Sequence, residues 1–315
     1  MHPTPLRRAE RAYRTFAWQG ITVTVPQTWD LIAAHGKFDS GYVRLGDETA
    51  ARLEIRWQSG GADQPPAAAA DAYLARLRKS AAKSGRSISV QRDLNLASPQ
   101  GKDVECYRWV GDRQSVAMVS RCAECGRTVH LHVLGRPQDR LRSLARTVFS
   151  SLRDHSDDGT LAWSFFDVEF RTPASLALTR NSFQAGCIRM EFTHGLAKLE
   201  FVRVSLAEIL LAGRDLAGWF GAFYRKPLKR RSFKLEPTTV RGHEGIDVQG
   251  RVWLVCNPLR LAGRARVVRA TCWHCPETNR LLICAFDGPR AGADVLEPAV
   301  ESFRCCSAQD ESRGA

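Results

Sequence analysis

The feature that most constrains this chain is an internal repeat. Cys122 and Cys125 recur 150 residues later as Cys272 and Cys275, and the segments around the two pairs follow one another in the same order. A spacing this long exceeds the roughly 20–50 residues of solenoid repeats and means two copies of a whole domain. The first copy opens on FAWQGITVTVPQTWDL and the second on WSFFDVEFRTPASLAL. In both, alternating apolar residues run into a proline, Pro26 or Pro173, as in a half-buried strand with a proline boundary. Next, GYVRLGDETAARLEIRW from Gly41 aligns with GCIRMEFTHGLAKLEFVRV from Gly186, and both read as β-hairpins.

A helix is expected next in each copy. PPAAAADAYLARLRKSAAK starts behind Pro65 and Pro66, where proline suits a first turn. SLAEILLAGRDLAGWFGAFYRK offers Ser205 as N-cap with Glu208 at capping-box spacing. Strands return as GKDVECYRWV with GHEGIDVQGRVWLVC, and as RQSVAMVSRC with RARVVRATC. Each copy closes with its cysteine pair, a strand and a helix. This order predicts an α+β fold: two tandem repeats, each an antiparallel sheet packed with two helices, arranged as a pseudo-two-fold dimer. The expected boundaries are 1–153 for the first repeat, the polar DHSDDGT at 154–160 as linker, 161–306 for the second repeat, and a disordered tail over 307–315.

The cysteine pairs carry the clearest chemistry. No run approaches the roughly 18–20 apolar residues of a membrane span, and the N-terminus lacks the apolar core of a secretory signal. These readings predict a cytoplasmic protein, where close cysteines bind metal or do redox work rather than form structural disulfides. CAECGR has the form of a knuckle, a tight turn that Gly126 accommodates and Pro276 replaces in the second copy. One pair supplies two thiolates and structural zinc takes four. The equivalence of the pairs therefore predicts one zinc site shared by Cys122, Cys125, Cys272 and Cys275. A rival arrangement gives each repeat its own site of three cysteines and a histidine: Cys106 with His130 or His132 in the first, Cys256 with His274 in the second. A third reading treats the pairs as reversible disulfides. Most of the remaining cysteines, Cys187, Cys284, Cys305 and Cys306 among them, read as small buried hydrophobes.

The formal net charge is +13, with 46 Lys and Arg against 33 Asp and Glu. The densest basic run is YRKPLKRRSFK, in which Arg225, Lys226, Lys229, Arg230, Arg231 and Lys234 form a candidate anion-binding group, with Tyr224 and Phe233 able to stack on bases. A solvated helix end complementing the dipole explains the same residues. There is no P-loop, no H-E-x-x-H and no G-x-S-x-G, so no catalytic residues are assigned. His243 and Glu244 read as a turn, and His130 and His132 as neighbours on one strand face.

The opening of the first copy resembles PsbP-like domains. Ile21, Val23, Val25, Pro26 and Trp29, followed by Gly41 and its strand, carry the likeness, and Val168, Phe170, Pro173 and Leu176 echo it. That superfamily includes DcrB-like proteins and Eag-type chaperones. The resemblance implies a non-catalytic adaptor, assembly factor or chaperone-like module. Together these readings predict a zinc-stabilised module that binds another protein. A thiol–disulfide oxidoreductase and an Arg-rich binder of nucleic acid or anionic ligands are the alternatives.

Overall fold

The computed structural model describes residues 12–60, 64–96, 99, 101–224, 232–251 and 266–306. The chain divides into two compact units, residues 1–157 with 162–166, and residues 158–161 with 167–315. Both are α+β and dominated by antiparallel sheet.

The first unit starts with a hairpin of β1 (Tyr13–Trp18) and β2 (Ile21–Pro26). Gln19 and Gly20 both take positive φ in its two-residue turn, as the right-handed twist of a tight hairpin demands. Ser164, in β10 (Thr160–Phe165), stands opposite Ala17. The main sheet has seven strands: β3 (Asp30–Gly36), β4 (Ser40–Gly46), β5 (Ala51–Gln58), β6 (Ser89–Gln91), β7 (Lys102–Val110), β8 (Gln114–Cys122) and β9 (Thr128–Gly135). Their order is β3-β4-β5-β9-β8-β7-β6. The twofold side-chain period sorts β5 cleanly. Leu53, Ile55 and Trp57 are buried, while Glu54 and Arg56 turn to the other face.

Helix α1 (Pro66–Lys83) begins with proline in its first turn, as the sequence predicts. It lies on β7 and β8, with Ala70 and Leu74 against Tyr107, Ala117 and Val119. Helix α2 (Arg142–Ser150) packs against β2, β8 and β9 and buries Ala145, Val148 and Phe149. Gly41 is fixed by a close approach rather than by its dihedrals. A Cβ there would lie 2.2 Å from Cζ2 of Trp57 and 2.7 Å from the His35 carbonyl oxygen. The indole cannot retreat easily, because its Nε1 donates to the carbonyls of Lys37 and Phe38 at 3.0 Å. Gly41→Ala is expected to cost this unit about 1–3 kcal/mol through overpacking, read as a lower urea midpoint for its unfolding.

The second unit contains β11 (Val168–Pro173), β12 (Ala177–Gln184), β13 (Cys187–His194), β14 (Ala197–Ser205), β15 (Ser232–Val240), β16 (His243–Arg251), β17 (Arg266–Cys275) and β18 (Arg280–Pro289). Its seven-stranded sheet runs β12-β13-β14-β18-β17-β16-β15, the same connectivity as the first. One face is covered by α3 (Ala207–Leu211) and α4 (Leu216–Phe223). There Leu216, Trp219, Phe220 and Tyr224 pack on Val202, Ile246, Val248, Ala270, Cys272 and Ile283. A second cluster joins Phe170, Phe192, Phe201, Trp273 and Phe303, with Phe170 and Phe201 stacked at 3.9 Å between centroids. Phe303 follows α5 (Leu296–Ser302), the closing helix.

The single helix expected from Ser205 is two short ones. Ser205 ends β14, and Leu206 takes a left-handed φ of 62°. Gly213, at φ 76°, separates α3 from α4. Asp215 then caps α4, its Oδ1 accepting from the Gly218 N–H at 2.8 Å. The Ser205 capping box does not form, because the strand pairing of β14 claims that residue. No described helix is long and apolar enough to cross a membrane.

Candidate metal centres

In the first unit, β8 ends at Cys122 and the chain turns at once. The Gly126 N–H donates to the Cys122 carbonyl at 3.1 Å, and the Cys122 N–H to the Arg127 carbonyl at 3.0 Å. Gly126 has φ +66°, the conformation the knuckle requires. Burial works to raise the Cys122 thiol, but the N–H groups of Cys125 and Glu124 aimed at its sulfur outweigh it and lower it. Burial pushes the Cys125 thiol up to about 11. Asp154 and His155 join the two cysteines, and one ligand atom from each of the four lies within 4.8 Å of the others. His155 Nδ1 is 3.6 Å from Cys122 Sγ and 2.9 Å from Asp154 Oδ1. Its Nε2 is 2.9 Å from Glu124 Oε2, the outer carboxylate that orients a ligating imidazole.

Asp154 is the informative member. It is 1 % exposed. Its Oδ1 pairs with Lys102 Nζ at 2.5 Å, while its Oδ2 is buried without a hydrogen-bond partner. A buried carboxylate oxygen without a donor is costly, and a cation at that position would satisfy it. The backbone beside it is held by Arg127, itself buried, which donates to the carbonyls of Asp154 at 2.9 Å, Gln19 at 3.0 Å and Phe38 at 2.8 Å.

The second unit builds its group differently. Cys272 and Cys275 both lie within β17, and an odd separation along a strand places two side chains on opposite faces. Cys272 is fully buried in the apolar core under α4, and burial raises its thiol strongly. Cys275 faces the other way and meets His243, Cys305 and Cys306, again with ligand atoms within 4.8 Å of one another. Cys305 and Cys306 Sγ are 3.8 Å apart, and Cys306 Sγ is 3.8 Å from His243 Nε2. The chain after α5 is pinned there, since the Arg304 N–H donates to the Glu169 carbonyl at 2.9 Å. The Cys305 S–H donates to Cys275 and, against the effect of burial and with help from Thr278, lowers its thiol to about 6. Cys305 is raised for the same reason, with its proton held between two sulfurs.

A tetrahedral zinc with Zn–S bonds of about 2.3 Å has S–S edges of about 3.8 Å. The Cys305–Cys306 separation has that length, and the other ligand atoms of each group lie within 4.8 Å of one another. Two thiolates with imidazole and carboxylate, or three thiolates with imidazole, are both zinc donor sets.

The structure thus brings together Cys122 with Cys125, but not Cys272 with Cys275. The described group of the second unit is likewise three cysteines and a histidine, but His243, Cys305 and Cys306 stand with Cys275 where the rival arrangement has Cys256, Cys272 and His274. Cys256 lies outside the described residues. Cys106 is buried in β7, with its thiol raised to about 11 by burial. His130 and His132 do share a strand face, their rings parallel within 5°, but under α1. Of the basic run, residues 225–231 lie outside the described residues, and Lys234 pairs with Glu236 at 2.5 Å. Asp154 and His155 escaped notice because they sit in a stretch that reads as a linker. The readable signal for the other group was the adjacent pair Cys305–Cys306.

Cys272→Ser provides a direct check. It puts a hydroxyl into an apolar core, so it is expected to cost about 1–3 kcal/mol while leaving the metal content of the chain unchanged. Loss of metal in that variant would return Cys272 to the ligand set.

No family model matches the chain, and no curated protein matches it. Among solved structures the chain is similar to the cyanobacterial PsbP protein CyanoP from Synechocystis sp. PCC 6803. The two are 14% identical with a TM-score of 0.34, over 49% of this chain and 98% of that one. It is also similar to the immunity protein TplEi of T6SS from Pseudomonas aeruginosa, solved in complex with an "L" peptide. Identity there is 11% and the TM-score 0.36, over 93% of this chain and 97% of that one. A PsbP protein is thus among the solved structures to which the chain is similar.

Proposed function

We propose that this chain is a non-catalytic, zinc-stabilised module that binds another protein, built from two copies of one repeat. Each copy holds its own zinc ion. The observation that carries the reading is the pair of separate Cys/His groups, Cys122, Cys125, Asp154 and His155 in one unit and His243, Cys275, Cys305 and Cys306 in the other. Two sites replace the shared four-thiolate site because Cys272 is committed to its own core. The identical strand order of the two sheets supports the repeat. So does a recurring ion pair, Arg44 with Glu54 and Arg189 with Glu200, each at 2.9 Å. The pseudo-two-fold pairing of the copies and a cytoplasmic location belong to the same proposal. A protein partner would meet apolar side chains around α3, where Ile209 and Leu206 are 68% and 57% exposed.

Metal analysis of protein purified without chelator tests the reading. Two zinc ions per chain are expected, falling to one in Cys122→Ser and to one in Cys275→Ser. A single ion in the parent chain that is absent from both variants would restore the shared site, and a parent chain without metal would remove the proposal. A thiol–disulfide role is the second reading, supported by the lowered Cys275 thiol beside Cys305. Turnover of a disulfide substrate by the metal-free protein would favour it.

A further inference from the structure

The group in the second unit has three thiols where the group in the first has two. Their placement is unequal. Cys275 and Cys305 are buried, whereas Cys306 is partly open to solvent. Cys306 Sγ stands 3.8 Å from Cys305 Sγ and 3.8 Å from His243 Nε2, and Cys275 Sγ lies within 4.8 Å of all three.

Sulfurs this close can share a zinc ion, and they can also oxidise to one another. The covalent geometry chooses the pair. An ordinary disulfide has its Cα atoms roughly 4.4–6.8 Å apart, whereas neighbouring residues are held at about 3.8 Å. Cys305 and Cys306 are neighbours in the chain and close a disulfide only under strain. Cys275, at the end of β17, is under no such restraint. The solvent-open sulfur and the buried one across from it are therefore the natural couple.

We propose that this group is a peroxide-sensitive zinc switch, in which oxidation joins Cys275 to Cys306 and expels the metal. The proposal rests on the zinc reading of the group and adds its regulation. Hydrogen peroxide meets the accessible sulfur first. The Cys306 thiolate attacks one peroxide oxygen, an S–O bond forms, the O–O bond breaks and hydroxide leaves. The Cys275 thiolate then attacks the sulfenic sulfur, an S–S bond forms, the S–O bond breaks and a second hydroxide leaves. The two thiolates give up two electrons, and the peroxide becomes two hydroxide ions that take protons from solvent. Cys305 and His243 are then the remaining donors, and two ligands do not fill a tetrahedral zinc site. The segment after α5 stays in place, because the disulfide spans the elements that zinc joined. The Arg304 N–H also still donates to the Glu169 carbonyl at 2.9 Å, and Phe303 keeps its contact with Trp273.

The test uses the full chain purified with its zinc. In Cys122→Ser, which keeps the second ion alone, about ten equivalents of hydrogen peroxide are expected to lower zinc from one per chain to none, read with a chromogenic chelator. Fragmentation mass spectrometry of alkylated peptides should show the Cys275–Cys306 link forming in step, with Cys305 free. Thiol reductant should restore zinc binding. The same link is expected in the parent chain, which keeps the test intact if Cys122→Ser folds poorly. It should persist in Cys305→Ser and vanish in Cys306→Ser. Zinc retained after peroxide, or a link through Cys305 in the parent, overturns the proposal while leaving the zinc reading in place. Absence of zinc from the untreated, folded Cys122→Ser chain overturns the zinc reading of this group and the switch with it, so the two failures are told apart.

Discussion

Stripping metal from the folded chain is expected to lower its thermal midpoint by about 5–10 °C. A ligand present at 100 times its dissociation constant stabilises the native state by about 2.7 kcal/mol, and one kcal/mol moves the midpoint of a domain of this size by roughly 2–4 °C. The effect should be local in each unit. In the second, the ion would tie the chain after α5 to β16 and β17 through Cys305, Cys306, His243 and Cys275. Without it that segment is held by the Arg304–Glu169 backbone pair and by the Phe303 ring in its cluster with Trp273 and Phe201, so its hydrogen exchange should quicken. In the first, it leaves Asp154 Oδ2 unsatisfied. Differential scanning calorimetry with and without chelator, together with hydrogen exchange of β17 and the α5 segment, measures both. An unchanged midpoint in protein shown to have lost its zinc would mean that the ions contribute nothing to folding. Restoration by zinc but not by magnesium is expected, since thiolate and imidazole donors suit the softer ion.

The second large effect is acid destabilisation of the first unit through His130 and His132. Burial lowers both imidazoles, to about 4 and about 3, with Arg56 and Arg76 adding to the effect at His130. In the unfolded chain each would titrate near 6.5. Between those values the unfolded state binds more protons than the folded one, so stability rises with pH. The contribution is fully present above about pH 6.5 and is lost as pH falls toward 4 and then 3. Each histidine costs about 1.4 kcal/mol per pH unit within that window. Urea midpoints of the first unit at pH 7.5 and pH 5, read by hydrogen exchange of β9, should differ accordingly. His132→Leu should remove about half of the slope, because it deletes one of the two titrations. At pH 7.5 it deletes the unpartnered Nε2 but also takes the Nδ1 partner, 3.4 Å away, from the buried Ser115 hydroxyl, so a cost of about 1–3 kcal/mol is expected there. An unchanged slope in that variant would show that His132 is not the group being protonated. Following the difference between variant and parent, rather than the parent alone, separates this effect from proton competition at the metal groups.

Much of the fold was legible because strands and hairpins announce themselves locally. The alternation of Leu53, Ile55 and Trp57 against Glu54 and Arg56 and the proline start of α1 follow from rules that act over a few residues; the Gln19–Gly20 turn, which splits the opening run into two strands, was not read from the sequence. The helix after β14 was misread for a related reason. A capping box is a local signal, but Ser205 was already taken by strand pairing, and Gly213 ended the first turn of helix early.

The functional groups were less legible, and the contrast between the two cysteine pairs shows why. In the sequence they are equivalent. At Cys122 the strand ends and Gly126 closes a turn, so both sulfurs converge. At Cys272 the strand continues for three more residues, and the alternation of a β-strand sends the two sulfurs to opposite faces. The sequence by itself determined the α+β class, the duplicated order of elements, and the presence of thiolate and imidazole donors in both halves. Which donors meet was decided only by the tertiary structure. Asp154 and His155 reach the first pair because buried Arg127 holds the backbone there, and Cys305 and Cys306 reach Cys275 because the chain after α5 bridges to β11 at Glu169. The donors so joined, Cys125 with His155 and Cys275 with Cys305, are far apart in the chain and meet through packing that no local pattern encodes.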